Sequence, residues 1–347
     1  MNKKKIFKSF LFLICCCCCF TIGRLYFIVY SSNTSFNQSS VNIFISNRFT
    51  FEEVLAELKP YLNSLDDFIL ASKFKNYDKK IKSGKYKIVK GLNNNQIINL
   101  LNSKSLTVQI TFNNQERLEN LAGRISAQID SDSLTLIDSF KDSIFLKKEN
   151  FNKNNALSMY LPNTYEFYWN TSAIEFRERM LLEYKIFWTE NRINKAKSQN
   201  LTPIQISVIA SIVQKETIKV EERPLVAGVY LNRIKRKMKL QADPTVIYSL
   251  KLINNNFDTI IKRVLFSDLK INSKYNTYRN RDLPPGPICM PDISSIEAVL
   301  SPKKHSYLYF VVNPENPGYH SFSKSLSTHN IFKKKYINWL NKKRLYR

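Results

Sequence analysis

The apolar run from Phe10 to Tyr30, led by Lys3, Lys4, Lys5 and Lys8, constrains this chain more than any other stretch. A single span in lipid must satisfy its own backbone hydrogen bonds, so it can only be a helix. At 1.5 Å per residue the run reaches about 30 Å, the thickness of a hydrocarbon core. Arg24 is its one charge, towards the far end, where it can snorkel to the interface beside Tyr26 and Tyr30. A cleaved signal peptide is the competing reading. Leu25-Tyr26-Phe27 is bulky where a cleavage site wants small residues, which favours a retained single-pass anchor. The leading lysines put the N-terminus in the cytoplasm, so everything after Ser31 is expected outside the membrane.

Composition narrows the rest. The 347 residues are 44% hydrophobic and 13% aromatic, enough for one large domain or two smaller ones with a real core. The net charge of +25 would suit an anionic partner. The lysines are spread along the whole chain, however, and no basic run is interleaved with a recognition motif, so nucleic acid is not expected as a partner. Cys15 to Cys19 sit inside the apolar run and Cys289 stands alone, which leaves no internal disulfide and no Cys-based metal site in the soluble part. Ile14 precedes Cys15 where a lipid-attachment signal wants a small residue. With seven glycines and no phosphate-binding loop, a nucleotide fold is unsupported. His320 and His329 lack metal-ligand spacing, so neither metal nor cofactor is expected, and His320 reads as a packing or hydrogen-bonding residue.

Patterning then suggests an α+β fold. Ser31 to Ser40 reads as a linker. Val41 to Ile45 is a weak strand, and Thr50 with Glu53 is a capping box for a helix to about Leu62. Ser83 to Ile88 turns into a strand and Asn95 to Leu101 is helical. We read this as the strand, helix, helix, strand order of a LysM-like subdomain. Leu106, Val108, Ile110 and Phe112 alternate as a strand. Helices follow at Glu116 to Ile129, Ser131 to Lys141 and Ala173 to Asn194, with aromatic Met159 to Tyr168 between. Asp292 to Leu300 carries a second capping box, Ser294 with Glu297. Tyr307 to Val312 and Gly318 to Ser323 form a C-terminal hairpin before a closing helix, Ser325 to Asn341. The expected layout is a tail (1–9), a transmembrane anchor (10–30), a linker (31–40), a LysM-like β-α-α-β subdomain (41–105) and a mixed α/β catalytic domain with a helical core (106–347).

Chemistry concentrates between Ile209 and Leu250. Thr202-Pro203 starts a helix in which Ile209, Ile212, Val213 and Glu216 share one face. Periodicity leaves two readings open. Glu216 either lies on the buried face, where desolvation would keep it protonated, or meets solvent or Arg223 at a frayed end. A second helix begins near Glu222-Arg223-Pro224, with Tyr230 and Asn232 on its polar side. Gln241 and Asp243 follow in a polar loop. Asp243 can equally be an N-cap, whereas Gln241 has no such structural explanation. Asn276 and Tyr278 precede a Pro-Pro-Gly turn. There is no nucleophile elbow.

Together these segments resemble the YceG-like family of endolytic murein transglycosylases. The resemblance rests on Ala210-Ser211-Ile212-Val213 with Lys215-Glu216-Thr217, on Glu222-Arg223-Pro224, and on Val226-Ala227-Gly228-Val229. It continues through Asn232-Arg233, Leu240-Gln241, Asp243 to Tyr248, Tyr275 to Tyr278, Leu283 to Ile288, Tyr307 to Val311 and His329-Asn330. Departures include Gln214 in place of a usual Glu and Ala242 in place of a usual Ser or Thr. The resemblance implies an inner-membrane protein with an extracytoplasmic catalytic domain and Glu216 as catalyst. Its substrate would be peptidoglycan glycan strands, cut between N-acetylmuramic acid and N-acetylglucosamine to leave 1,6-anhydro ends. Peptidoglycan synthases would be candidate protein partners. Tyr230, Asn232, Gln241, Asp243, Asn276 and Tyr278 would bind substrate. One carboxyl acting first as acid and then as base suffices, because the sugar's own 6-hydroxyl attacks. A membrane-anchored peptidoglycan-binding scaffold and a hydrolase pairing Glu216 with Asp243 are the alternatives.

Overall fold

The computed structural model describes residues 3–342, with side chains from Phe7 onward. The first two residues of the expected tail and the last five of the expected catalytic segment lie outside the described residues. Among those described, the chain is mixed α+β, with an apolar N-terminal helix and small two-stranded sheets. It divides into two compact units, one of Met1–Ile110, Ala127–Ser131 and Tyr165–Ser172, the other of Thr111–Ser126, Asp132–Thr164 and Ala173–Arg347.

In the first unit, α1 (Lys3–Tyr30) contains Phe7–Tyr30, which is long and apolar enough to cross a membrane, with a mean hydropathy of 2.2. Strand β1 (Ser40–Ile45) pairs antiparallel with β2 (Gly84–Val89), from Ser40↔Val89 to Ile45↔Gly84. Between them lie α2 (Phe51–Leu58), opened by the Thr50/Glu53 capping box, and α3 (Leu65–Phe74), which the sequence reading did not name. Helix α4 (Asn94–Leu101) follows, and Ile43, Val54, Leu58, Phe68, Ile88 and Ile98 meet in one core. Ser31 to Ser40, expected as a linker, is fastened to this unit. Asn33, Thr34 and Phe36 are buried, and Ser32 and Thr34 bridge to Asn93 and Leu62. The end of α1 is fastened as well. Ile28 joins the core, and Asn94 donates through Nδ2 to its carbonyl at 2.7 Å and accepts through Oδ1 from Asn33 at 2.8 Å.

Strands β3 (Thr107–Phe112) and β4 (Asn163–Tyr168) form another two-stranded sheet. The second unit begins with α5 (Leu118–Ser126), α6 (Ser133–Lys141) and α7 (Ser143–Lys148). The single helix expected over Ala173 to Asn194 is two, α8 (Ala173–Phe187) and α9 (Glu190–Ser198), because the Thr189 hydroxyl caps a new start. Helix α10 (Pro203–Glu216) is buried at every position from Ile206 to Val213, so it is the central rod of the core and not merely an amphipathic stripe. Around it pack α9, α11 (Arg223–Lys235), α12 (Asp243–Ile253) and α13 (Ile293–Leu300). The capping box expected at Ser294 and Glu297 is absent. Arg223 donates to Ser294 at 2.6 Å and Arg192 to Glu297 at 2.7 Å, and charge-assisted bonds outcompete the neutral cap. The expected hairpin is β5 (Tyr309–Val312) against β6 (His320–Ser323), followed by α14 (Leu326–Lys342).

Candidate active site

Helix α10 carries Glu216 at its last position. Its start is a complete capping box, with Thr202 and Gln205 satisfying each other's backbone N–H groups and Pro203 in the first turn. Its body is locked in the core, so its end is well fixed. Glu216 keeps a partly exposed edge, while protein surrounds its carboxyl group. That burial pushes the carboxyl up to about 7; the Tyr230 hydroxyl and the charges of His320 and Arg233 oppose the rise, and Asp243 adds to it. Tyr230, fully buried on α11, donates to Glu216 Oε1 at 2.7 Å. A carboxyl group that titrates near neutrality can both give and take a proton at that pH.

Two loops are laced together beside it. The N–H groups of Gln241 and Ala242 donate to the Thr277 carbonyl (3.2 Å) and hydroxyl (3.0 Å), and Thr277 N–H returns to the Thr245 hydroxyl at 3.3 Å. Gln241 adopts a left-handed φ of 51°, uncommon for this residue type, and its side chain is exposed. Asp243 is also exposed and is the first residue of α12, with Ala242 at the cap position; it makes no capping bond. Instead it accepts from Tyr278 at 2.5 Å, and burial followed by that bond holds the Tyr278 phenol well above its ordinary range.

The structure therefore brings Glu216, Tyr230, Asp243 and Tyr278 into one electrostatic neighbourhood. Of the three other expected residues, Gln241 stays exposed in the laced loop, whereas Asn232 and Asn276 have their amides committed elsewhere. Asn232 donates to the carbonyls of His305 and Tyr307 at 2.8 and 3.0 Å. Asn276, fully buried, donates to Leu269 and Ile271 and accepts from the Tyr278 N–H. Each holds a strand or loop in place.

Three charged groups near the site went unnamed as site residues. Arg233, 7% exposed, donates to the carbonyls of Leu308 and Leu240, both at 2.7 Å, and its charge reaches Glu216. Burial draws its proton affinity down. Glu222 and His320 form a buried pair at 2.7 Å. Burial alone would raise Glu222, but the bonds from His320 more than offset it and the carboxyl titrates below its ordinary range. Gly228 has no room for a side chain, since a Cβ would lie 2.5 Å from His305 Nε2 and 2.8 Å from the Lys303 carbonyl. No cluster of three or more metal-ligating side chains occurs among the described residues.

The α10 core helix thus ends in a near-neutral carboxyl with a laced polar loop beside it. The YceG-like family model matches residues 43–335, and this chain belongs to that family. It is 32% identical to the endolytic murein transglycosylase of Bacillus subtilis, over 88% of each chain. It is 38% identical to the endolytic murein transglycosylase of Streptococcus pneumoniae strain R6 over 117 residues, 34% of this chain and 21% of that one. A crystal structure described as a yceG-like protein of Listeria monocytogenes superposes with a TM-score of 0.56 at 27% identity, covering 85% of this chain and 99% of that one.

Proposed function

We propose that this chain is an endolytic murein transglycosylase that cuts peptidoglycan glycan strands between N-acetylmuramic acid and N-acetylglucosamine. Beyond the kinship, the observation that carries the reading is the Glu216 carboxyl, poised near pH 7 with one oxygen held by Tyr230. As an acid, Glu216 gives its proton to the glycosidic oxygen as the bond to the anomeric carbon breaks through an oxocarbenium-like state. As the resulting carboxylate, it takes the proton of the sugar's 6-hydroxyl while that oxygen closes onto the anomeric carbon. Glu216 ends protonated, no water is consumed, and the product ends in 1,6-anhydro-muramic acid.

In this proposal Gln241, Asp243 and Tyr278 contact sugar hydroxyl and acetamido groups. Asn232 and Asn276 serve the same site by holding the hairpin and the loop that flank it. Residues 41–105 act as a LysM-like glycan-holding module and 106–347 as the catalytic region. The N-terminus is cytoplasmic and the rest extracytoplasmic, where nascent strands are the substrate and peptidoglycan synthases are candidate partners.

Mass spectrometry of digested glycan strands tests the reading. Wild type is expected to release anhydro-ended fragments, and Glu216→Gln to lose about 10²- to 10⁴-fold while staying folded. Reducing-end products would mark a hydrolase instead. Strand binding without cleavage would mark a scaffold.

A further inference from the structure

Proton transfer by Glu216 leaves Glu222 and His320 idle, yet both carboxylate oxygens of Glu222 are bonded to His320. Glu222 is 3% exposed. Its Oε1 accepts the His320 backbone N–H at 2.7 Å, and its Oε2 lies 2.7 Å from His320 Nδ1. A carboxylate only accepts, so Nδ1 carries the proton of that bond. Nε2 has no protein partner among the described residues and is not one of the buried polar atoms without one, so it keeps an outlet to solvent.

Two routes tie this pair to Glu216. Along the backbone, the hydroxyl of Thr217, the residue that follows Glu216 and ends α10, lies close enough to the Glu222 carboxyl to help hold it ionised. Across the side chains, His320 packs edge-on to Phe310 at 5.1 Å and 82°. The same ring meets Tyr230 at 5.9 Å and 88°, and Tyr230 holds Glu216.

We propose that Glu222 and His320 form a positioning dyad for Glu216, fixing the direction of its carboxyl and setting an ionisable imidazole nitrogen beside it. The proposal deepens the transglycosylase reading and rests on it. The groups that face Glu216 are Tyr230 and Arg233 from α11, Asp243 from α12 and His320 from β6; His320 in turn faces Glu222, with the Tyr319–Glu221 pair next to it. A protonated His320 favours the carboxylate form of Glu216, and Asp243 opposes it.

The test uses the full chain in detergent, glycan strands as substrate and anhydro ends counted from pH 5 to 9. His320→Asn keeps an amide N–H for Glu222 and removes Nε2. We expect kcat to fall about tenfold with KM within about twofold. The alkaline limb should move up by about half a pH unit, because a positive charge has left the carboxyl. Adding Glu222→Gln should cost little more than either change alone, as for residues that act as a unit. His320→Gln, and then Thr217→Val, are read the same way if the Asn variant does not melt cooperatively. An unmoved limb with unchanged kcat, or a loss confined to KM, overturns the dyad. If wild type releases no anhydro ends, the transglycosylase reading fails and the dyad with it. Wild-type release with indifferent variants overturns the dyad alone.

Discussion

Two glutamates stand at either end of the turn joining α10 to α11, and the fold shifts their proton affinities in opposite directions. Burial is the largest influence on both and pushes both up. At Glu216 one hydrogen bond, from neutral Tyr230, and the more distant charges of His320 and Arg233 answer it, while Asp243 adds a like charge. At Glu222 the His320 backbone and the His320 ring both donate, with the Thr217 hydroxyl close by, and the carboxyl is held below its ordinary range. Burial therefore does not by itself set the direction in which a carboxyl shifts. The donors and charges around each carboxyl decide which one is raised towards neutrality and which one is lowered.

The comparison can be broken most sharply at Glu216, where the Gln variant should cost at least about 100-fold in activity. Next comes Glu222→Ala, which removes two bonds and leaves the buried His320 Nδ1 without its partner. Unfolding midpoints should report a loss of about 3 kcal/mol or more.

Stability should also follow pH with opposite sign at the two ends. The folded value of Glu216, about 7, lies above its unfolded value of 4.5. Its contribution is therefore fully present below pH 4.5 and is lost as pH rises through 7. Glu222 is depressed, so its contribution is present above the unfolded value and is lost on acidification. Glu216→Gln should consequently gain on wild type by up to about 3 kcal/mol between pH 4 and pH 8, read by denaturant titration. A gain independent of pH would contradict the near-neutral carboxyl.

The smallest effects are the most specific. Asp243→Asn should move the alkaline limb of activity to lower pH, and Tyr230→Phe should move it to higher pH, each by about half a unit. Shifts of the same sign in both variants would mean that the neighbours of Glu216 are wrongly assigned.

Local chemistry made much of the fold legible before any coordinates. Thr50 with Glu53, Thr202 with Pro203, and the alternation ending at Ile110 and Phe112 each settle into the elements they suggest. Local signals failed where a distant partner intervened. Ser294 and Glu297 have the spacing of a capping box, but Arg223 and Arg192 claim them. Asp243 looks like an N-cap, but Tyr278 holds it one position inside the helix. Tyr230 and Asp243 were nameable because they sit on elements continuous with Glu216. The Glu222–His320 pair was not, since it joins residues far apart in the chain and depends on where the hairpin lands. The rarity of histidine in a lysine-rich chain was the only hint.

The fastening of α1 has a mechanical consequence. Ten free residues would give a leash of about 33 Å. Here that slack is taken up by Asn33, Thr34 and Phe36, and the last turn of α1 is clamped through Asn94. With α1 in a bilayer, the first unit cannot drift away from the lipid surface or swivel independently of the rod beneath it. Any tilt of that rod, from bilayer thickness or a neighbouring protein, is passed undamped to the module above.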